Sequence, residues 1–230
     1  MKHVVLVHGA WHGPWCWERV TPGLDAAGVH WVAPDLPSCC AASDGAGLIE
    51  DVREVDRCLD DLPGDEPVVL LGHSRGGLVV TESGAHPRVD QLVYLCAFLL
   101  EPGEDVAPMV AGTVMPVLDF EKTSSGLVAT PRPDEAVPVF YGDCSRDDAR
   151  WAVERGRPMC MTGPPVEPPR VAWRTKASTY VRCARDAAIP PEHQRSMAAR
   201  ATHLVEWDTG HSPFLNRPEL VTELLVGLAT

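Results

Sequence analysis

A serine set among glycines is the residue of this chain best suited to act as a nucleophile. Within "LLGHSRGG", residues 70–77, the run Gly72-His73-Ser74-Arg75-Gly76 matches the pattern G-x-S-x-G. An aliphatic run precedes it and a helical pattern follows it, which predicts that Ser74 lies on a sharp strand-to-helix turn. The alternative is a glycine-rich turn of a parallel sheet that contains a serine by chance.

A serine hydroxyl is a weak nucleophile until a base removes its proton. His211 is predicted to be that base, because it follows "VEWDTG" in a loop after the last predicted strand, at the sheet edge that displays Ser74. A carboxylate should orient its ring. Asp186, at the end of a predicted strand in "YVRCARD", is preferred to Asp208, which lies at the end of the histidine's own strand and reaches back to the ring awkwardly.

Acyl chemistry also needs backbone donors for the charge that develops on the carbonyl oxygen. The N–H of Arg75, directly after the serine, is one candidate. The N–H of Ala10, in the turn "VHGAWHGPW" after the first predicted strand, is the other. His8 and His12 have the i, i+4 spacing of a metal pair on a helix, but a glycine turn separates them, so this pair is not predicted to bind a metal. Acyl transfer by a serine requires neither a metal nor an organic cofactor, and none is predicted.

Short aliphatic runs alternate with helical patterns over residues 1–100 and 171–230. This alternation is typical of an α/β fold, in which helices cover both faces of a mostly parallel sheet. Residues 101–170 are rich in proline and show no strand pattern. They are predicted to form a small inserted cap made mainly of helices, such as "SRDDARWAVERG", over one edge of the core.

Composition excludes several classes of protein. A formal net charge of −12 repels phosphate backbones, which argues against nucleic-acid binding. The longest apolar run, residues 92–100, is too short for a membrane helix, and the N-terminus lacks a signal-peptide core, so a cytoplasmic protein is expected. The eight cysteines form no CxxC pair and are expected to be reduced, with adjacent Cys39 and Cys40 as the unexplained feature.

Five segments together resemble the α/β-hydrolase superfamily: "VVLVHGAWHGPWCWERVTPGLDAAG", "LLGHSRGG", "FYGDCSRDDA", "YVRCARDAAIPPEHQ" and "DTGHSPFLNRPELV". They are most similar to its compact branch of plant methylesterases of the salicylate-binding type, pyrethroid-hydrolase-like esterases and hydroxynitrile lyases. The resemblance implies Ser74 as nucleophile, Asp186 as acid, His211 as base, and Ala10 with Arg75 as oxyanion donors. It is weakest over residues 101–170.

Two positions favour an esterase over a lyase. The similar lyases carry threonine where Ala10 stands, and a lysine that holds cyanide where Ser212 stands. The segment "APDLPSCCAASDG" also departs from the family, because many relatives have a Gly-rich G-x-G-x-S turn there. That departure concerns the predicted pocket rim near residues 37–46.

The expected function is therefore hydrolysis of a small hydrophobic or aromatic carboxylic ester through an acyl-enzyme. Trp11, Trp15 and Trp17 are equally compatible with an apolar pocket and with core packing. Two alternatives stay open: a tailoring enzyme of secondary metabolism that performs thioester release, lactone formation or elimination, and a ligand-binding protein that reuses the fold. A small hydrophobic molecule is the expected partner, and a homodimer is an open expectation.

Overall fold

The computed structural model describes residues 1–39, 45–124, 126–161 and 171–230. Its strands in chain order are β1 (His3–Val7), β2 (Trp31–Val32), β3 (Val68–His73), β4 (Val89–Leu95), β5 (Leu118–Thr123), β6 (Gly126–Pro131), β7 (Met159–Cys160), β8 (Ala177–Cys183) and β9 (His203–Trp207). Its α-helices are α1 (Thr21–Ala26), α2 (Leu48–Asp61), α3 (Gly76–Ser83), α4 (Ala107–Val110), α5 (Pro133–Phe140), α6 (Arg146–Val153), α7 (Pro191–Ala198), α8 (Pro213–Asn216) and α9 (Pro218–Ala229). Short 3-10 turns cover Pro14–Trp17, Pro37–Cys39, Met115–Val117 and Ala172–Arg174.

Six strands form one sheet in the order β2-β1-β3-β4-β8-β9. Every neighbouring pair in it is parallel. Every residue of β1 and β3 is buried, as expected where helices cover both faces of a parallel sheet. The predicted α/β architecture is confirmed.

The parallel arrangement places the candidate residues at one edge of this sheet. Carboxyl ends of parallel strands meet at the same edge, and ligands of open α/β sheets bind there. The loops that leave the carboxyl ends of β1, β3, β8 and β9 carry, respectively, Ala10, Ser74, Asp186 and His211. Four separate stretches of chain therefore converge on one site.

A second, antiparallel sheet has the order β5-β6-β7, and all of it lies within the segment predicted as a cap. Helices α4, α5 and α6 lie in the same segment, so the expectation of helices was correct and the expectation of no strand was wrong. The hairpin was missed because most of β5 is exposed and prolines flank both strands. Pro131 is the last residue of β6, where its missing N–H costs little.

Within the described residues, no helix has both the length and the apolar character needed to cross a bilayer. Cys39 is a buried free thiol. Cys40, its unexplained neighbour, and residues 41–44 of the predicted pocket rim lie outside the described residues.

Candidate active site

Ser74 occupies a strained corner between β3 and α3. Its φ of 53° lies in the left-handed region, which costs a residue with a side chain about 1–3 kcal/mol. Backbone hydrogen bonds hold the corner: the Ser74 N–H donates to the Leu95 carbonyl at 3.2 Å, and the Ser74 carbonyl accepts from Phe98 N at 3.1 Å. A side chain on Gly76 would approach the carbonyl oxygens of Val7 and His8 to 2.8 Å, which explains the glycine two residues after the serine. The predicted turn is present.

Asp186 and His211 form a buried hydrogen-bonded pair. His211 Nδ1 lies 2.8 Å from Asp186 Oδ2, and the two residues are only 3% and 4% exposed. The backbone N–H groups of Ala188 and Ile189 donate to Asp186 Oδ1 at 2.8 and 3.0 Å. The competing carboxylate, Asp208, is exposed and pairs with an arginine at the surface. The preference for Asp186 agrees with this geometry.

Gln194, which sequence reasoning missed, holds the far side of this pair. It is fully buried on α7, and its Nε2 donates to Asp186 Oδ2 and to the Ile189 carbonyl, both at 2.8 Å. Its Oε1 accepts from Cys183 N at 3.0 Å, which fixes the orientation of the amide. A glutamine eight residues after an aspartate belongs to no motif, so the sequence carried no signal for it.

The backbone carbonyl of His211 is held by two further side chains. His73 Nε2 lies 2.9 Å from this oxygen and Cys96 Sγ 3.4 Å from it. Because a carbonyl only accepts, His73 carries its proton on Nε2, and burial lowers the pKa of His73 well below its ordinary value. A neutral His73 therefore helps to position His211.

His73, Cys96 and His211 also place possible metal ligands within 4.8 Å of one another, the one such group of three among the described residues. The hydrogen bonds above already use His73 Nε2, Cys96 Sγ and His211 Nδ1. We therefore interpret the group as a support for the His211 loop.

Ser74 lines the neighbouring pocket, while the His211 ring packs 4.7 Å from the ring of His73, the residue before the serine. No hydrogen bond joins the Ser74 hydroxyl to the His211 ring in the described part of the chain. Catalytic hydrogen bonds of this kind often tighten only when substrate binds. The structure thus brings Asp186 and His211 into contact and places Ser74 at the same edge of the sheet.

Both predicted oxyanion donors are available. Neither the Ala10 N–H nor the Arg75 N–H donates to another described residue, and both residues line the pocket with Ser74. Gly9 brings the Ala10 loop against the serine, because a Cβ placed on it would lie 3.0 Å from Ser74 Cβ. Two such N–H groups beside a serine are the arrangement that stabilises an oxyanion.

The comparisons with known proteins agree with this geometry. The model of the "Alpha/beta hydrolase family" matches residues 4–224. The chain belongs to the α/β hydrolase family. Methylesterase 3 of Arabidopsis thaliana is 42% identical, with 99% of this chain and 96% of that protein covered. The pFDCC methylesterase MES16 of the same plant is 37% identical, with 94% and 90% covered. A pyrethroid hydrolase from Sphingobium faniae JZ-2 has the same fold, with a TM-score of 0.83, 24% identity, and 99% and 97% covered.

These relatives confirm the predicted branch of the family and the predicted enzyme class, a carboxylic ester hydrolase. In this α/β hydrolase, Ser212 stands at the position where similar lyases carry a lysine, and its surroundings also fit an esterase. Ser212 is fully buried, and its hydroxyl donates to the Phe140 carbonyl at 2.8 Å. An uncharged, already bonded hydroxyl supplies no positive charge for a leaving cyanide.

Residues of the segment predicted as a cap hold the loop that carries Ala10, one of the two predicted oxyanion donors. Trp11, directly after Ala10, has a φ of 61°, a second strained position. Its carbonyl accepts from Arg157 N at 2.9 Å, and its indole N–H donates to the carbonyl of Ala129 on β6 at 3.0 Å. The Arg157 guanidinium donates to the His12 carbonyl at 2.8 Å from Nη2. Cap residues thus fix the backbone that presents the Ala10 N–H.

Further ion pairs and hydrogen bonds support this loop, from Asp35 on the core side and from Tyr141 of the 101–170 segment. Asp35 lies 3.7 Å from His8 Nε2 and pairs with Arg157, and these two neighbours lower the pKa of Asp35. His12 Nδ1 donates to the Ala10 carbonyl at 2.7 Å, and its Nε2 accepts from the Tyr141 hydroxyl at 3.0 Å. Burial lowers the pKa of His12 to about 3, so its ring is neutral at pH 7.

The pocket beside Ser74 has a volume of about 820 Å³, and residues of the 101–170 segment line it together with residues from the loops at the edge of the parallel sheet. Its lining is mostly aliphatic and aromatic, with Trp11, Leu78, Phe98, Val114, Phe140 and Met159 among the contributors. Of the three tryptophans considered above, only Trp11 lines it. Trp17 is fully buried in the core, and Trp15 stacks on His12. The site can therefore accommodate an apolar acyl group next to the nucleophile.

Proposed function

We propose that this protein hydrolyses a small hydrophobic or aromatic carboxylic ester through an acyl-enzyme on Ser74. The observation that carries the proposal is the arrangement at one sheet edge of a strained serine, a buried Asp186–His211 pair and two residues of the pocket lining whose N–H groups donate to no other described residue. None of these parts would suffice alone. Together they supply nucleophile, base, orienting carboxylate and oxyanion site.

The proposed reaction has two steps. His211 Nε2 takes the hydroxyl proton as Ser74 Oγ attacks the ester carbonyl, and the oxyanion accepts hydrogen bonds from the N–H groups of Ala10 and Arg75. The carbonyl re-forms, the alcohol leaves, and His211 gives its proton to that alcohol. Water then attacks the acyl-enzyme with His211 as base again, which releases the acid and restores Ser74.

The pocket and the relatives both support a methyl ester of an apolar acid as the substrate class. The lining is mostly apolar, which favours an aliphatic or aromatic acyl group. Several relatives, at 26% to 42% identity, are named methylesterases. A small alkoxy leaving group needs little of the pocket, so most of its volume is left for the acyl part.

Labelling with a fluorophosphonate probe tests the proposal, because the probe reacts only with an activated serine. Wild type should be labelled at Ser74, as read by mass spectrometry of the peptide, and should release methanol from methyl esters of C6–C10 acids. Ser74→Ala and His211→Ala should lose both properties. His203→Ala is the matched control, since His203 is exposed on β9, and it should behave as wild type.

A folded wild-type protein that is neither labelled nor active on any ester of the panel would refute the proposal. Labelling without hydrolysis, but with acyl transfer to an added alcohol, would replace hydrolysis by acyl transfer. Turnover that survives Ser74→Ala would point to elimination driven by His211, one of the alternatives left open by the sequence.

A further inference from the structure

The side chain of Arg75 lies beside the nucleophile, and the described residues hold it by one edge only. Arg75 lines the pocket, and its side chain is 15% exposed. Its Nη1 donates to Asp51 Oδ2 at 2.6 Å and to Ser38 Oγ at 3.2 Å. Asp51 is fully buried and also accepts from the N–H and the hydroxyl of Ser38, so this anchor is fixed in the core.

The opposite edge of the guanidinium has no hydrogen-bond partner in the part of the chain that the structure describes. Neither Nε nor Nη2 of Arg75 donates to a described residue. These two groups form a parallel fork, whose N–H groups can donate to two oxygens or converge on one carbonyl oxygen. Other arginines of this protein use the same two groups. Arg57 donates from Nε and Nη2 to the carboxylate of Glu54, and Arg132 donates in the same way to Glu135. A half-satisfied, nearly buried arginine in an apolar pocket is a donor ready for a ligand oxygen.

The surrounding charges favour an uncharged acceptor. Asp51 offsets the charge of Arg75 directly, and Glu50 and Asp105 line the same pocket. These carboxylates would repel a carboxylate on the substrate. An uncharged carbonyl oxygen would accept hydrogen bonds from the fork without that repulsion.

Resting on the proposed function, we infer that Arg75 binds two oxygens of one substrate: its backbone N–H takes the oxygen of the ester that is cut, and its side-chain fork takes a second, uncharged carbonyl oxygen in the acyl group. The substrate class is then an ester whose acyl chain carries a further ester or ketone. Asp51 is the positioning residue that aims the fork and keeps the pocket from selecting anions.

Three probes of similar length separate the possibilities. Dimethyl glutarate carries a second neutral ester, methyl heptanoate has methylene groups at the same places, and monomethyl glutarate carries a carboxylate. Their dissociation constants should be measured by ligand-detected NMR in a Ser74→Ala background, where no probe is consumed. The preference for dimethyl glutarate over methyl heptanoate is then compared between Ser74→Ala and Ser74→Ala/Arg75→Met.

We expect Arg75→Met to lower this preference by about tenfold or more, the usual effect of losing a hydrogen bond from a charged donor. Arg57→Met, which removes the same charge from the exposed face of α2, should leave the preference unchanged. Asp51→Asn should raise the affinity for monomethyl glutarate relative to dimethyl glutarate. A preference that changes less than twofold in a folded Arg75→Met protein would overturn the inference. An unchanged ratio of the two affinities in a folded Asp51→Asn protein would overturn the role given to Asp51.

Hydrolysis of the same esters by the protein with Ser74 intact separates this inference from the proposed function. If both methyl esters bind with the predicted Arg75 dependence but none is hydrolysed, the proposed function fails and the binding role of Arg75 stands. If the esters are hydrolysed and Arg75→Met does not change the preference for dimethyl glutarate over methyl heptanoate, the proposed function stands and the inference fails.

Discussion

Replacing Asp186 by asparagine should remove most of the activity by forcing the wrong tautomer on His211. Asp186 Oδ1 accepts two backbone N–H groups, and only an oxygen can stand there, so the new amide nitrogen must take the place of Oδ2. It would then lie about where Oδ2 lies now, 2.8 Å from His211 Nδ1. A donor at that place makes Nδ1 an acceptor and leaves the proton on Nε2, the atom that the proposed mechanism uses as the base.

The size of the effect follows from this geometry. A ring protonated at Nε2 cannot act as the base, and a tautomer error of this kind costs about 10⁴-fold in kcat, or about 5.5 kcal/mol at 1.36 kcal/mol per tenfold. The new amide also faces the Nε2 donor of Gln194, 2.8 Å from the present Oδ2. Two opposed buried donors should lower the free energy of unfolding by about 1–3 kcal/mol.

The assay is kcat for a methyl ester together with the rate of fluorophosphonate labelling, measured from pH 6 to pH 9. Asp208→Asn is the matched control and should keep wild-type activity, because Asp208 is exposed and pairs with Arg185 at the surface. Gln194→Leu should lose less than Asp186→Asn, since Asp186 keeps its other three hydrogen bonds. An Asp186→Asn protein that is folded and retains more than a tenth of the wild-type kcat would refute the role given to Asp186.

Three further perturbations address the supporting residues. Gly9→Ala should lower kcat at least about 100-fold, because its Cβ would lie 2.8 Å from His73 Nδ1 and push the oxyanion loop away; steady-state kinetics with a thermal melt will show whether the fold survives. Arg157→Met should lower kcat about tenfold with little change in KM. Arg155→Met, the control at an exposed neighbouring position, should keep the wild-type kcat. Equal losses of kcat in the two variants would contradict the proposal that the Arg157 side chain holds the loop. Acidification from pH 7.5 to 5.5 should cost about 3 kcal/mol of unfolding free energy, because His12 and His73 stay neutral when folded but take up protons near pH 6.5 when unfolded. In urea unfolding, His12→Gln should lose only about half as much free energy of unfolding over the same pH range. A loss equal to that of wild type would show that His12 does not contribute to the pH dependence.

The core of the fold could be predicted because its elements have local signals. β1 and β3 are continuous aliphatic runs, and the serine sits in a pattern whose glycines have a steric purpose. Boundaries were less predictable. Strand β2, for example, is only Trp31–Val32, since the residues beyond it leave the sheet toward the turn Pro37–Cys39.

The candidate site was predictable where chemistry demands a residue type and not where packing decides. Ser74, Asp186 and His211 follow from residue type and chain position alone. Gln194, Asp51 and the cap contacts depend on which helix packs against which loop, and no local pattern encodes that. Their polar side chains read as ordinary surface residues in the sequence, although Gln194 and Asp51 are fully buried.

The bonds from the cap to the oxyanion loop limit how such a cap can be exchanged. The backbone of Trp11 and His12 is bonded to Arg157 and, through the indole, to Ala129. A chimaera that received a relative's cap without its matching loop would lose the groups that hold the strained Trp11. Transplanting the cap together with residues 9–13 and the partner of Arg157, Asp35, should preserve turnover. Cap and loop therefore have to be exchanged together, although Trp11 and Ala129 stand 118 residues apart in the chain.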